Sequence, residues 1–167
     1  WLEANGYDVS YFSGVDADRR GEGILNHRLF LSVGHDEYWS LGQRRNVEAA
    51  RDGGVHLAFF SGNEVFWKIR WEAGIDGTED DHRTMVCYKE THHNAKIDPV
   101  ADVWTGTWRD SRPFNPEGAQ PENALTGTIF TVDAWRNDPL IVPAEYAPLR
   151  FWRNTEVADL KPGERAV

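Results

Sequence analysis

Arg28-Leu29-Phe30-Leu31-Ser32-Val33-Gly34-His35-Asp36-Glu37-Tyr38-Trp39-Ser40-Leu41-Gly42-Gln43 is the stretch whose reading decides the fold. Its first six residues form a short, mostly apolar run, the pattern of a strand covered on both faces. Gly34 ends that run. Ser40-Leu41-Gly42-Gln43 has the spacing of a capping box, with Ser40 accepting from the Gln43 N–H and Gln43 reaching back, and predicts a helix from Leu41 to Asp52. Gly53-Gly54 stops this helix, Val55 to Phe60 is a second short apolar strand closing at Gly62, and Val65 to Trp71 reads as a further helix start. Strand, helix, strand, helix at this spacing predicts an α/β fold: a parallel sheet with right-handed crossovers and helices on both faces. Ligands of such sheets bind outside the carboxyl ends of the strands, where the loops 34–39 and 61–64 fall.

Upstream, Trp1-Leu2-Glu3-Ala4 reads as the last turn of a helix, stopped by Asn5-Gly6 and followed by the β-rich Tyr7 to Phe12. The chain is therefore expected to open inside an αβ unit, as one domain over 1–167 cut at both ends from a longer polypeptide. Downstream, Thr84 to Tyr88, Thr126 to Val132 and Leu149 to Trp152 read as strands. The polar stretches between them, rich in Pro and Gly, make 73–125 a long irregular insertion, and Asn115 to Asn123 reads as a surface loop.

A chain of 167 residues suits one domain and buries roughly two-thirds of its extended surface, so no disulfide framework is needed. The single cysteine, Cys87, lies in an apolar run and reads as a packed thiol. With 27 acidic against 18 basic residues the net charge is -9, which disfavours nucleic acid as a partner. No apolar run approaches the ~20 residues of a membrane span and no basic-then-apolar leader is present, so the expectation is a soluble, cytoplasmic chain. Eight tryptophans fall mainly into clusters at 60–71, 104–108 and 146–152, with core packing as their default role and a sugar-docking platform as the alternative.

His35-Asp36-Glu37 puts an imidazole and two carboxylates directly before a helix. First-turn N–H groups favour carboxylates there by roughly 0.3–1 kcal/mol each, so capping by Asp36 or Glu37 stands beside a chemical role. His35 caps nothing obvious and reads as a proton carrier. In the second loop the strand-to-helix elbow carries no Ser or Cys at its tip, but the Asn63 amide can donate to a developing oxyanion, a contact worth roughly 3–4 kcal/mol when well aimed. Its competing role is to tolerate a left-handed turn. Activated water is then the expected nucleophile, by a general base or a metal. His35 and Glu37 alone are too few ligands for a metal, and His92-His93 read as solvent-facing.

Gly34 to Ser40, Leu57 to Trp67 and Thr105 to Asp110 resemble the large (beta) subunit of the N,N-dimethylformamidase family, in its C-terminal domain. The resemblance extends over essentially the whole chain and implies a class I glutamine-amidotransferase-like, flavodoxin-like fold. It also implies a mononuclear iron held by two tyrosines and one glutamate. Glu37 matches the glutamate ligand, His35 a histidine beside the iron, and Asn63 a substrate-holding residue; Tyr38 and Glu64 complete the expected substrate-facing set. Neither Tyr7 nor Tyr11 falls at the distance of the tyrosine ligands, which are expected upstream of Trp1, with a further glutamate beyond Val167. The implied reaction is hydrolysis of a small formamide-type amide to amine and formate by iron-activated water, in a bacterial enzyme that allows a small partner subunit and a homo-oligomer. The alternative is a non-catalytic or carbohydrate-binding accessory domain of a larger bacterial hydrolase, or a structural domain using 73–125 as an interface.

Overall fold

A computed structural model describes all residues, 1–167. They form two compact units, Trp1–Thr131 and Val132–Val167. In the first, a 3-10 turn at Glu3–Asn5 is closed by Gly6 at φ 77, the stop expected of Asn5-Gly6. Helix α1 (Gly14–Arg19) follows, capped by Ser13 and Asp16 in a reciprocal box. Strands β1 (Leu29–Ser32) and β2 (Tyr38–Ser40) then lead into helix α2 (Leu41–Asp52), which spans the range its sequence predicts. Ser40 accepts from the Gln43 N–H at 3.1 Å, but Gln43 does not reach back: its Oε1 is buried without a partner, so the cap is one-sided.

Strand β3 (His56–Phe59) pairs parallel with β1, Leu29 opposite His56 and Ser32 opposite Phe59. Strand β4 (Trp67–Glu72) pairs parallel with β2 and antiparallel with β5 (Thr84–Val86). The parallel β1-β3 crossover through α2 is the unit expected, but the extended flavodoxin-like sheet is not formed. The ladders are separate: two strands in β1-β3 and three in β2-β4-β5. The helix expected at Val65 to Trp71 is the cause. Trp67, Ile69 and Trp71 alternate with Lys68, Arg70 and Glu72, a period of two that a strand satisfies and a helix does not. The next layer of the chain is thus a strand beside β2 and not a crossover that would extend β1-β3.

Other expected strands are also absent. Tyr7 to Phe12 has no ladder partner, and Tyr11 and Phe12 are exposed. Thr126 to Val132 begins with the end of a one-turn helix α4 (Asn123–Thr126), closed by Gly127 at φ 76. Within 73–125, besides β5, lies one more short helix, α3 (Glu90–His93). Asn115 to Asn123 runs as the surface loop expected, with Pro116, Gly118, Ala119 and Asn123 exposed, but it is anchored by the buried Asn115 and Glu122.

The apolar core joins Ala17, Ile24, Trp39, Val47, Ala50, Val55, Val65, Trp108 and Leu125. Helix α2 gives it Val47 and Ala50 and buries the stem of Arg44 on the same face. The second unit holds strands β6 (Val142–Pro143) and β7 (Arg165–Ala166), paired antiparallel. Between them run 3-10 turns, one of which, Arg150–Trp152, replaces the strand expected at Leu149 to Trp152. No helix is long and apolar enough to cross a membrane.

Candidate functional site

The loops after β1 and β3 meet. Val65 donates its backbone N–H to Asp36 O at 3.0 Å, and Phe66 and Trp67 both donate to Glu37 O at 2.9 Å. The two candidate loops, 34–37 and 63–67, are therefore laced along their main chains. Beneath them Ser32, the last residue of β1, lies with its Oγ 2.9 Å from Asp36 Oδ2 and 2.8 Å from Glu64 Oε2. A hydroxyl has one proton to donate, so Ser32 serves both carboxyls as donor to one and acceptor from the other only when one of them is protonated.

The electrostatics run the same way. Burial raises the Asp36 pKa against the hydrogen bonds from Ser32 and Trp39 that lower it. Burial also raises Glu64, with the Asp36 charge adding to the rise, while Ser32, the Ser61 backbone and the nearby His35 pull the other way. Glu64 is 3% exposed and its Oε1 has no partner. This is a costly group to hold ionised.

The backbone here is also strained. Asn63 has φ 65 and Val65 has φ 52. Asparagine visits the left-handed region readily, but a β-branched valine there is an outlier, costing on the order of 1–3 kcal/mol. The completely buried Val65 side chain and its N–H bond to Asp36 hold it in place. On the other loop Gly34, at φ 83, gives the turn out of β1.

Each expected site residue has a definite place. Asn63 takes the left-handed turn, it is half-buried, and its Oδ1 is buried without a partner. Glu37 is half-buried and its carboxylate takes no part in the loop's side-chain hydrogen bonds. His35 is exposed. Tyr38 is engaged by Lys89, whose ammonium lies 5.4 Å from its ring centroid. Glu64 sits below the surface and bonds to Ser32, the least accessible of the expected substrate contacts. Reading the sequence singled out neither Ser32 nor Lys89. Ser32 did carry a signal, a hydroxyl at the end of an apolar run; Lys89 carried none.

Cys87 is half-buried, with Sγ 3.6 Å from Lys68 O, and burial raises its pKa, as suits a packed thiol. His92 and His93 are exposed, and the His92 ring lies tilted against Trp67 with centroids 5.0 Å apart. Trp67, Trp104 and Trp108 are buried and committed to packing, while Trp71 is half-buried. Asp80, Asp81 and His82 lie close enough to share an ion. Both His82 ring nitrogens are already taken, Nδ1 by Asp81 at 2.6 Å and Nε2 by Asp18 at 3.1 Å. A shallow depression lined by Leu25, Arg28, Gly54 and His56 lies at the amino ends of β1 and β3, away from the two loops.

Compared with known proteins, the chain matches over residues 1–167 the family described as N,N-dimethylformamidase beta subunit-like, C-terminal. No curated protein matches it.

Proposed function

The chain belongs to the N,N-dimethylformamidase beta subunit-like family, and on that premise we propose that in the full-length protein it supplies part of an amide-hydrolase site for a small formamide-type substrate. The observation that carries this reading is the lacing of loops 34–37 and 63–67, which holds Glu37 and Asn63 on one side of the fold at the carboxyl ends of β1 and β3. A beta subunit works beside other subunits, so a partner chain belongs to the same reading.

The donor set fits iron in part. The Glu37 carboxylate is a hard oxygen ligand not engaged by the loop's side-chain hydrogen bonds, whereas the one tyrosine of the loop, Tyr38, is held by Lys89. Glu37 would therefore hold the metal as one ligand, the others coming from outside 1–167. When bound, iron supplies a Lewis acid that polarises the amide carbonyl and lowers the pKa of water.

The chain's own residues do the rest. His35, exposed above the loop, takes the proton of the attacking water and returns it to the leaving nitrogen. Asn63 directs its Nδ2 donor end to the carbonyl oxygen as negative charge gathers there. Water oxygen joins the carbonyl carbon, the C–N bond breaks, nitrogen takes the proton that His35 carried, and the second water proton, lost as the new carboxyl ionises, goes to the released amine, so that formate and the protonated amine leave.

Metal analysis and amine release from small amides, on full-length protein, test this. Glu37→Ala is expected to lose iron and turnover together; iron content and turnover both unchanged would sink the reading. Asn63→Gly separates the two roles of Asn63. Glycine keeps the left-handed turn, so stability should hold while kcat falls roughly 10²–10³-fold. Unchanged kcat in that variant would leave Asn63 as a turn residue alone.

A further inference from the structure

Lys89 occupies a position that packing alone does not call for. Its backbone is left-handed, φ 49 and ψ 45, in a residue with a full side chain. That conformation lays the ammonium 4.9 Å from the Trp67 ring centroid and 5.4 Å from that of Tyr38. The two rings are register partners on β2 and β4, so Lys89 covers the seam where both strands start, next to Glu37. Its partners are the two π faces. Its pKa is raised, with Tyr38 the largest cause and the Glu37 charge adding to it.

The contrast with other half-buried or buried lysines is informative. Lys68 is paired with Glu117 and Lys96 with Glu90. Lys89 is half-buried and enters no such pair. Aromatic faces stabilise a cation without neutralising it, so a net positive charge stays beside Glu37 among the acids of the 34–37 and 63–64 loops.

Resting on the amide-hydrolase reading, we infer that Lys89 is the anion-binding residue of this site and receives the carboxylate product, formate, of hydrolysis. The chemistry requires such a group. A neutral amide enters, but a carboxylate leaves, and Asp36, Glu37 and Glu64 all disfavour an anion. The unpaired ammonium offsets them and orients the carboxylate through a charge-assisted hydrogen bond.

Full-length protein with Lys89→Met and Lys89→Arg tests this. Methionine keeps an apolar stem over both rings and removes the charge; arginine keeps the charge and stacks on aromatic faces. Formate is the probe, used as an inhibitor of amide turnover and, without turnover, in ligand-observed saturation-transfer NMR. The inhibition constant for formate should rise roughly ten-fold or more in Lys89→Met, the size of one lost charge-assisted contact, and recover in Lys89→Arg. KM for the uncharged amide should move less, and the NMR signal should vanish in Lys89→Met only. Formate binding Lys89→Met as well as wild type, or not binding wild type at all, overturns the inference. A wild type that hydrolyses no amide overturns the amidase reading instead, and the NMR arm then decides the anion site alone.

Discussion

Glu64 and Asp36 compete for the one proton of the Ser32 hydroxyl, 2.8 and 2.9 Å away, and this contest sets how the loops respond to pH. The folded chain holds a proton on Glu64 above the ordinary value of 4.5, because burial penalises its charge. The native state then binds that proton more tightly than the unfolded chain does. Stability is fullest below pH 4.5 and declines as pH rises through the higher folded pKa. Glu64→Gln removes the titration and offers an N–H to Ser32 or Asp36. It is expected to raise stability at pH 7 by about 1 kcal/mol and to flatten the pH dependence above 4.5, measured by urea denaturation at several pH values. A variant less stable than wild type at pH 7, with the slope intact, would refute the shared-proton description. At this scale the place of Gly34, His35, Glu37 and Asn63 in the loops after β1 and β3 was legible because glycines and strand ends mark those turns. Ser32 and Lys89 act through partners 32 residues away for Glu64 and across β2-β4 for the rings, which local spacing does not encode.

Elements were legible where their cause is local. Helix α2 follows from Ser40 ahead of it and Gly53-Gly54 behind it, and Gly54 at φ 97 takes a turn that residues with a Cβ avoid. The parallel pairing of β1 with β3 follows from two apolar runs joined by one helix. Strand β4 was open to the same kind of reading: Trp67, Ile69 and Trp71 alternate with charged residues, and giving that period its full weight identifies the strand. Tyr7 to Phe12 teaches the converse, since β-prone residues without a neighbouring edge form no ladder. Ser40 itself does two things, accepting from Gln43 N and donating to Asp18 on α1. Ser40→Ala should therefore cost more than a simple cap, about 1–2 kcal/mol against the typical 1, while Ser40→Asp keeps the cap acceptor and sets a second carboxylate against Asp18. Equal midpoints for wild type and Ser40→Ala in urea would show that the cap contributes nothing here.

Across the whole first unit, order comes from buried polar anchors as much as from sheets, which is why 73–125 looked irregular. Arg44, on α2, donates to Gln120 O at 2.6 Å and to Pro121 O at 3.2 Å. Arg70, on β4, grips Asp98 with two bonds of 2.8 and 2.9 Å. Contacts of this kind join residues far apart in sequence and leave no period to detect. Glu90 is the most connected of the anchors, and it is completely buried. Its Oε1 accepts the backbone N–H of Ile97 at 2.6 Å and of Asp98 at 2.8 Å, with Lys96 Nζ at 3.0 Å, and its Oε2 accepts the Thr105 N–H at 2.8 Å. Burial alone would raise its pKa, but these donors outweigh burial and hold it ionised below its ordinary value. Glu90→Ala leaves three backbone N–H groups without their acceptor and removes one of the two acceptors of the Lys96 ammonium, which keeps Asp98 O at 2.7 Å. At roughly 1–3 kcal/mol for each stranded donor, partly recovered by water entering the space, the expected loss is on the order of 3–5 kcal/mol. Glu90→Gln keeps one acceptor oxygen but turns a donor toward the Thr105 N–H or the Ile97 and Asp98 pair, so it should fall between wild type and alanine. Denaturation followed by tryptophan emission reads both, because Trp104 is buried one residue from Thr105. A Glu90→Ala midpoint within about 0.5 kcal/mol of wild type, inside the range of ordinary surface substitutions, would mean that the segment is held by something other than this carboxylate.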